Sequence, residues 1–253
     1  FTATSAGCVT GLVTVGTATH WSVFGKCVIL LLIQIGGLGF MTMASLASFA
    51  LRRTFTLHER MVMSTGLNLP DSAGIVRLTR RVLCGTFAIE GAGAVLLSLR
   101  FVPEYGFARG AGMGVFHAVS AFCNAGFDLM GTPDAPFQSL THWAGDPLVN
   151  LTVMALIVLG GLGFFVWSDV WDKRRFRALR LHTKLVLTAT AALLLGGFAL
   201  TLVFEWFNPQ TLGGMDAPHK LLAAAFQSVT LRTAGFNTID LAALSGPSQA
   251  VSC

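Results

Sequence analysis

The sequence predicts an all-α membrane protein built from repeated units, each a long apolar helix, a short helix with a loop, and a second long apolar helix. Three observations predict it. The chain of 253 residues is 53% hydrophobic and only 11% charged, whereas a soluble domain carries about 25% charged residues. So little charge cannot cover a water-facing surface, and lipid serves as the outer solvent. Four stretches, at 23–51, 82–99, 148–171 and 185–207, are long and apolar enough to cross a bilayer, which takes about 20 residues. Between them a short segment recurs. The 28 glycines fall repeatedly inside the apolar runs, which suits close helix packing in a membrane.

The recurring segment sets the order of the elements. Residues Phe1-Thr-Ala-Thr-Ser-Ala-Gly-Cys-Val-Thr-Gly11 align without a gap on Phe116-His-Ala-Val-Ser-Ala-Phe-Cys-Asn-Ala-Gly126, and six of the eleven positions coincide. A third copy, Phe226-Gln-Ser-Val-Thr-Leu-Arg-Thr-Ala-Gly235, is one residue shorter and shares Ala-Gly-Phe with the second. A second match keeps the register: Ile35-Gly-Gly-Leu-Gly-Phe40 in the first span and Leu159-Gly-Gly-Leu-Gly-Phe164 in the third. The expected division is therefore repeat 1 at 1–51, lacking its first span, and a link at 52–81. Repeat 2 is complete at 82–172, and a second link follows at 173–184. Repeat 3, at 185–253, lacks its second span. Phe1 opens inside patterned sequence without Met, and the natural start is expected upstream.

Charge placement predicts the topology. Arg52, Arg53, Arg60, Arg77, Arg80 and Arg81 form one basic cluster, and Lys173, Arg174, Arg175, Arg177, Arg180 and Lys184 another. Together they hold 12 of the 17 basic residues, and the positive-inside rule makes both links cytoplasmic. The clusters read as topology signals with lipid head-group contact, or as a docking surface for a cytosolic partner. No base-stacking aromatics interleave with the charges, which excludes nucleic acid as a partner. The five cysteines are scattered and odd in number, so they read as small buried hydrophobes rather than a disulfide frame or metal site.

The recurring segments are too short to cross a bilayer, so each enters and leaves on one side. Irregular backbone at membrane depth is tolerated only where protein or a water-filled cavity surrounds it. A short helix in and a loop out is the build of a cation pore, in which backbone carbonyls replace the hydration shell. Glycine lets the chain take that shape. The candidate ion-binding filter residues are Val9, Thr10 and Gly11 (with Leu12), then Cys123, Asn124, Ala125 and Gly126 (with Phe127), then Arg232, Thr233, Ala234 and Gly235 (with Phe236). The alternative for these glycines is three helix C-caps without an ion role. A side chain at Gly126 is expected to harm more than one at Gly93, inside an ordinary span. Seven acids fall on the outer side, namely Glu104, Asp128, Asp134, Asp146, Glu205, Asp216 and Asp240, and suggest either a mildly acidic vestibule or ordinary solvated loops. Glu90, near the middle of a span, is a functional candidate by default or a hydrogen-bonded structural acid. Arg232 is expected to point behind its loop and brace carbonyls or an acid.

These residues resemble the Trk/Ktr/HKT superfamily of potassium transporters, and within it the bacterial Ktr-type membrane subunit. The carrying residues are Val9-Thr-Gly-Leu12, Gln34-Ile-Gly-Gly-Leu-Gly-Phe-Met-Thr-Met43, Ser120-Ala-Phe-Cys-Asn-Ala-Gly-Phe-Asp128 and Gln227-Ser-Val-Thr-Leu-Arg-Thr-Ala-Gly-Phe-Asn-Thr238. The resemblance covers essentially the whole chain. It implies four M1–P–M2 repeats around a central pore in a multi-pass protein of the inner cell membrane, with K+ passing Gly11, Gly126 and Gly235. It also implies a homodimer and a cytosolic nucleotide-binding ring, for which Arg52, Arg53, Arg174 and Arg175 are the docking candidates. The third M2 and the fourth repeat of that plan are not in the sequence. The family links glycine at the first filter position to potassium, and sodium conduction is the alternative. A membrane enzyme would need a nucleophile, base or metal cluster on facing spans. The six histidines lie mostly in connections, without a His-Glu-x-x-His pattern. A scaffold subunit without transport fits the repeated loops poorly. K+ is thus the expected cargo, and no cofactor is implied.

Overall fold

The structure, a computed structural model, describes residues 1–39 and 75–252. Ten α-helices are present among the described residues, and no strand: α1 (Thr2–Gly7), α2 (Thr17–His20), α3 (Val23–Leu38), α4 (Ile75–Tyr105), α5 (Phe107–Phe122), α6 (Pro147–Leu162), α7 (Phe164–Lys173), α8 (Leu181–Glu205), α9 (Ala217–Thr230) and α10 (Gly246–Ser252). Arg52, Arg53 and Arg60, with the 40–51 portion of the first expected span, lie outside the described residues.

Two helices are each long and apolar enough to cross a bilayer, over Arg80–Tyr105 and Leu181–Glu205. The protein is thus an all-α membrane protein. The stretch at 148–171 is not one straight span: α6 and α7 meet at a bend of 92°. The cause is Gly163, at φ 83° and ψ 149°, a conformation open essentially to glycine alone. Its counterpart Gly39 ends α3 at φ 78° and ψ 144°. Each is the third glycine of the matched Gly-Gly-Leu-Gly-Phe runs. Hydropathy registers their apolar composition and is blind to the backbone they impose.

Sequence signals set the helix starts. Asp146 caps α6, its Oδ1 accepting from Leu148 N (2.9 Å) and Val149 N (3.1 Å), with Pro147 leading the first turn. Ser22 caps α3 through Gly25 N at 3.3 Å. The hairpin of α4 and α5 closes on two small residues. A methyl on Gly110 would stand 2.6 Å from Val102 Cα, and one on Gly114 would stand 2.9 Å from Ala94 O. In lipid, such close approach and the dispersion contacts it allows replace the hydrophobic effect as the association force.

α5 sits between two buried clusters. One gathers Leu97 and Phe101 of α4, Phe122 of α5, Val153 and Ile157 of α6, and Phe226 of α9. The other joins Ala6 of α1 and Ile33 of α3 to Phe116 and Phe127. Glu90, 5% exposed, receives Gln34 Nε2 on both carboxylate oxygens at 3.1 Å, which ties α4 to α3. Ser228 Oγ of α9 donates to Leu194 O of α8 at 2.7 Å. The cysteines depart from expectation. Cys8, Cys27 and Cys84 are exposed and Cys123 is half-buried, all four as free thiols. An apolar sequence context marks a membrane helix on every face, so it does not single out the face that packs.

Candidate functional site

Three loops follow the C-terminal ends of α1, α5 and α9, and they share one backbone signature. Two residues before each glycine, and at the glycine itself, φ is positive: Val9 (56°) and Gly11 (72°), Asn124 (55°) and Gly126 (69°), Thr233 (66°) and Gly235 (76°). Thr10, Ala125 and Ala234, between them, are not positive. Alternation of handedness turns successive carbonyls toward one side of the chain. Asn tolerates the left-handed region, but β-branched Val9 and Thr233 occupy it at a cost of about 1–3 kcal/mol each. Such strain persists only where the surroundings impose it.

The loops meet. A methyl on Gly11 would stand 2.6 Å from Ala125 O, one on Gly126 would stand 3.0 Å from Ala234 O, and one on Gly235 would stand 3.0 Å from Gly126 Cα. The three glycines, from sequence positions more than a hundred residues apart in each step, thus form one cluster of bare backbone. A side chain on Gly11 would collide with the neighbouring loop, and one on Gly126 would press on it at a φ that strains any side chain. Among the described residues, no hydrogen bond is accepted by the carbonyls of Thr10, Gly11, Ala125, Gly126, Ala234 or Gly235. A cluster of carbonyls without donors is a concentration of partial negative charge, to which the C-terminal ends of three helices add.

Residues outside the expected set hold the loops. Ser5 O accepts from Thr10 N (3.0 Å), Ser120 O from Ala125 N (2.8 Å) and Thr230 O from Ala234 N (3.0 Å). Ser120 Oγ donates to Phe127 O at 2.7 Å and Thr230 Oγ1 to Phe236 O at 2.6 Å. Phe127 and Phe236 are almost wholly buried anchors just past their glycines. His117 is fully buried. Its Nδ1 donates to Met113 O at 2.8 Å, because Nε2 accepts from Leu129 N at 3.3 Å, so the ring is the neutral tautomer. The repeat alignment carried a signal for Ser5, Ser120 and Thr230, since each stands four residues after the leading Phe. His117 carried none.

The other candidates fall as follows. Cys123 Sγ lies 4.0 Å from Glu90 Oε1. Arg232 turns away from Gly235: its Nη2 donates to Thr190 Oγ1 of α8 at 3.5 Å, and the guanidinium lies beside Gly161 of α6. It therefore meets a hydroxyl among the described residues, where a carbonyl or an acid was expected. Arg174 and Arg175 are exposed in the turn after α7 and stand apart from the glycine cluster. The seven outer acids do not form one group. Glu205 is fully buried, taking Ser245 N (2.9 Å), Ser245 Oγ (2.6 Å) and Asn208 Nδ2 (2.7 Å). Asp146 pairs with Arg100 as well as capping α6. Among the described residues, no group of three or more His, Cys, Asp or Glu side chains could hold a metal ion, so the carbonyl cluster is the candidate site.

Comparison with known proteins places the chain in a family. Residues 1–251 match the TrkH family model, described as cation transport protein. The chain is 47% identical over 246 residues to the Ktr system potassium uptake protein B of Bacillus subtilis, covering 96% of this chain and 54% of that protein. It is 44% identical over 240 residues to the potassium/sodium uptake protein NtpJ of Enterococcus hirae, covering 95% and 52%. It is 39% identical over 249 residues to the Ktr system potassium uptake protein B of Vibrio alginolyticus, covering 98% and 53%. The chain spans about half the length of these curated relatives. With a family model matched along almost its whole length, the chain belongs to the TrkH family, described as cation transport protein.

Proposed function

We propose that the chain forms part of the pore of a potassium uptake system and that K+ passes the carbonyls of the three glycine loops. The observation that carries this reading is the cluster itself: three loops of one φ signature, meeting at glycine, with six carbonyls free of donors among the described residues. A cation leaving water needs replacement oxygens, and backbone carbonyls provide them without a counter-charge that would hold the ion too tightly. Ala6, Ala118 and Ala121, Phe127 and Phe236 keep the backs of the loops in packed protein, so the carbonyls keep their places when the ion departs. In this reading α1, α5 and α9 are the pore helices of repeats 1, 2 and 3, with the boundaries at 1–51, 82–172 and 185–253. α3, α4, α6 with α7, and α8 are the flanking M2 and M1 helices. Multi-pass placement in the inner cell membrane, a homodimer, and a cytosolic nucleotide-binding ring at Arg52, Arg53, Arg174 and Arg175 belong to the same proposal.

Potassium is favoured by two relatives named for potassium uptake, while the relative named for potassium/sodium uptake supports sodium as the second reading. The deciding experiment uses the full-length protein in liposomes and measures K+ and Na+ uptake in competition. Gly126→Ser is compared with Gly91→Ser, where a side chain would meet nothing within 4 Å. Gly126→Ser is expected to lose most uptake, and its K+ preference first, while Gly91→Ser resembles the parent. Equal uptake and equal preference in both variants would overturn the ion-path reading.

A further inference from the structure

We propose that Ser120 and Thr230 are positioning residues that set the outer limit of the carbonyl row, and that their hydroxyls thereby set ion discrimination. This rests on the reading of the glycine loops as the ion path. Each residue grips its loop on both sides of the glycine. Ser120 takes Ala125 N–H on its carbonyl (2.8 Å) and donates its hydroxyl to Phe127 O (2.7 Å). Thr230 takes Ala234 N–H on its carbonyl (3.0 Å) and donates its hydroxyl to Phe236 O (2.6 Å). Both side chains are buried, at 0% and 6% exposure, so water does not compete for either bond.

The chemistry follows from which carbonyls are engaged. The carbonyl just past Gly126 and Gly235 is claimed by a protein donor, while among the described residues the carbonyls of these glycines and of the residues before them are not. The hydroxyl therefore turns one carbonyl out of the row and fixes where the row ends. It also fixes the peptide plane one residue beyond the glycine, because a planar peptide moves its N–H and C=O together, and so limits the rotation of the plane that carries the glycine's own carbonyl. Oxygen spacing around an ion depends on that plane. The first loop differs. Ser5 O takes Thr10 N–H at 3.0 Å, but its hydroxyl meets Thr10 Oγ1 at 3.0 Å and, among the described residues, holds no carbonyl past Gly11. Leu12 is 63% exposed where Phe127 and Phe236 are buried. Two loops are thus clamped at both ends and one at a single end.

The experiment uses the full-length protein in liposomes, and reads the ratio of half-saturating Na+ to half-saturating K+ concentration for uptake. That ratio does not depend on the amount of protein inserted. Ser120→Ala and the nearly isosteric Thr230→Val are each expected to shift it by about fivefold, the scale of one lost buried hydrogen bond. Ser120→Thr and Thr230→Ser, which keep the hydroxyl, are expected to stay near the parent. An unchanged ratio in both Ser120→Ala and Thr230→Val overturns the assignment, and so does an equal shift in the hydroxyl-keeping variants. If Ser120→Ala does not fold, Thr230→Val decides alone. Gly126→Ser, run alongside, separates the two ideas. A shift there without one at Ser120 and Thr230 removes only the clamp, whereas no shift anywhere removes the ion path.

Discussion

At Gly160 and Gly36 the same close approach occurs twice. A methyl on Gly160 would fall on Phe122 O, at the end of α5, and a methyl on Gly36 would fall on Gly7 O, at the end of α1. These are matching positions of the repeat, so each short helix presses its last carbonyls onto the helix that follows its loop. Backbone cannot step aside as a side chain does. Gly160→Ala is therefore expected to cost about 1–3 kcal/mol or more, read as a fall in melting temperature of the detergent-solubilised full-length protein. Gly112→Ala, with nothing within 4 Å, should change it little. Gly93 shows why sequence alone ranks glycines poorly. It looks like any small residue in a span, yet a methyl there would stand 2.8 Å from Leu156 Cδ1, so Gly91 is the cleaner control. Glu90 was legible as unusual because charge in a span is rare, but its partner Gln34, 56 residues away, was not. Gln34→Leu leaves that buried carboxylate without its two short contacts and should cost about 1–3 kcal/mol in the same melting measurement.

At the scale of elements, the short helices and their loops were readable because three copies of one pattern stood in one chain. The broken helix was not. Window hydropathy adds up apolar side chains, and Leu162, Phe164, Phe165 and Val166 give the same sum whether the helix continues or turns by 92°. The turn is written in Gly163, whose φ of 83° places it where an L side chain meets its own backbone. Gly39, at φ 78°, repeats the device at the end of α3. The bend also brings Trp167 Nε1 within 3.0 Å of Leu159 O, a carbonyl on the other side of the break. Gly163→Ala is expected to cost about 1–3 kcal/mol. It should also lengthen the separation of spin labels placed at residues 151 and 171, because straightening the joint relieves the backbone strain that a side chain brings at this positive φ. A label distance and a melting temperature both equal to the parent's would show that the joint tolerates a side chain.

Over the whole molecule, two charge pairs mark opposite ends. Arg81 of α4 meets Asp172 of α7 at 3.3 Å, and Arg100 of α4 pairs with Asp146, which caps α6. The first pair is more than half exposed on both sides, so it contributes little stability, but it fixes where things lie. Arg81 and Asp172 flank the basic links at 52–81 and 173–184, so the described ends of both links stand at one end of the molecule. A topology that puts one link inside must put the other there too. By the positive-inside rule we propose that this end is the cytoplasmic one. In a cysteine-free version of the full-length protein, Arg174→Cys and Arg177→Cys are expected to react with an impermeant maleimide in inside-out vesicles and not in sealed cells. Labelling in sealed cells would invert the orientation. Arg174 and Arg175 are exposed at that end, where the proposed cytosolic ring would dock. Exposed charges steer and hold an acidic surface through interactions that salt screens over about 10 Å at 0.1 M. Replacing both by Glu should weaken co-purification with the regulatory ring at least tenfold at low salt, and much less at high salt, where the parent's own advantage is screened away. Unchanged affinity for the ring at low salt would leave these arginines the role of topology signals alone.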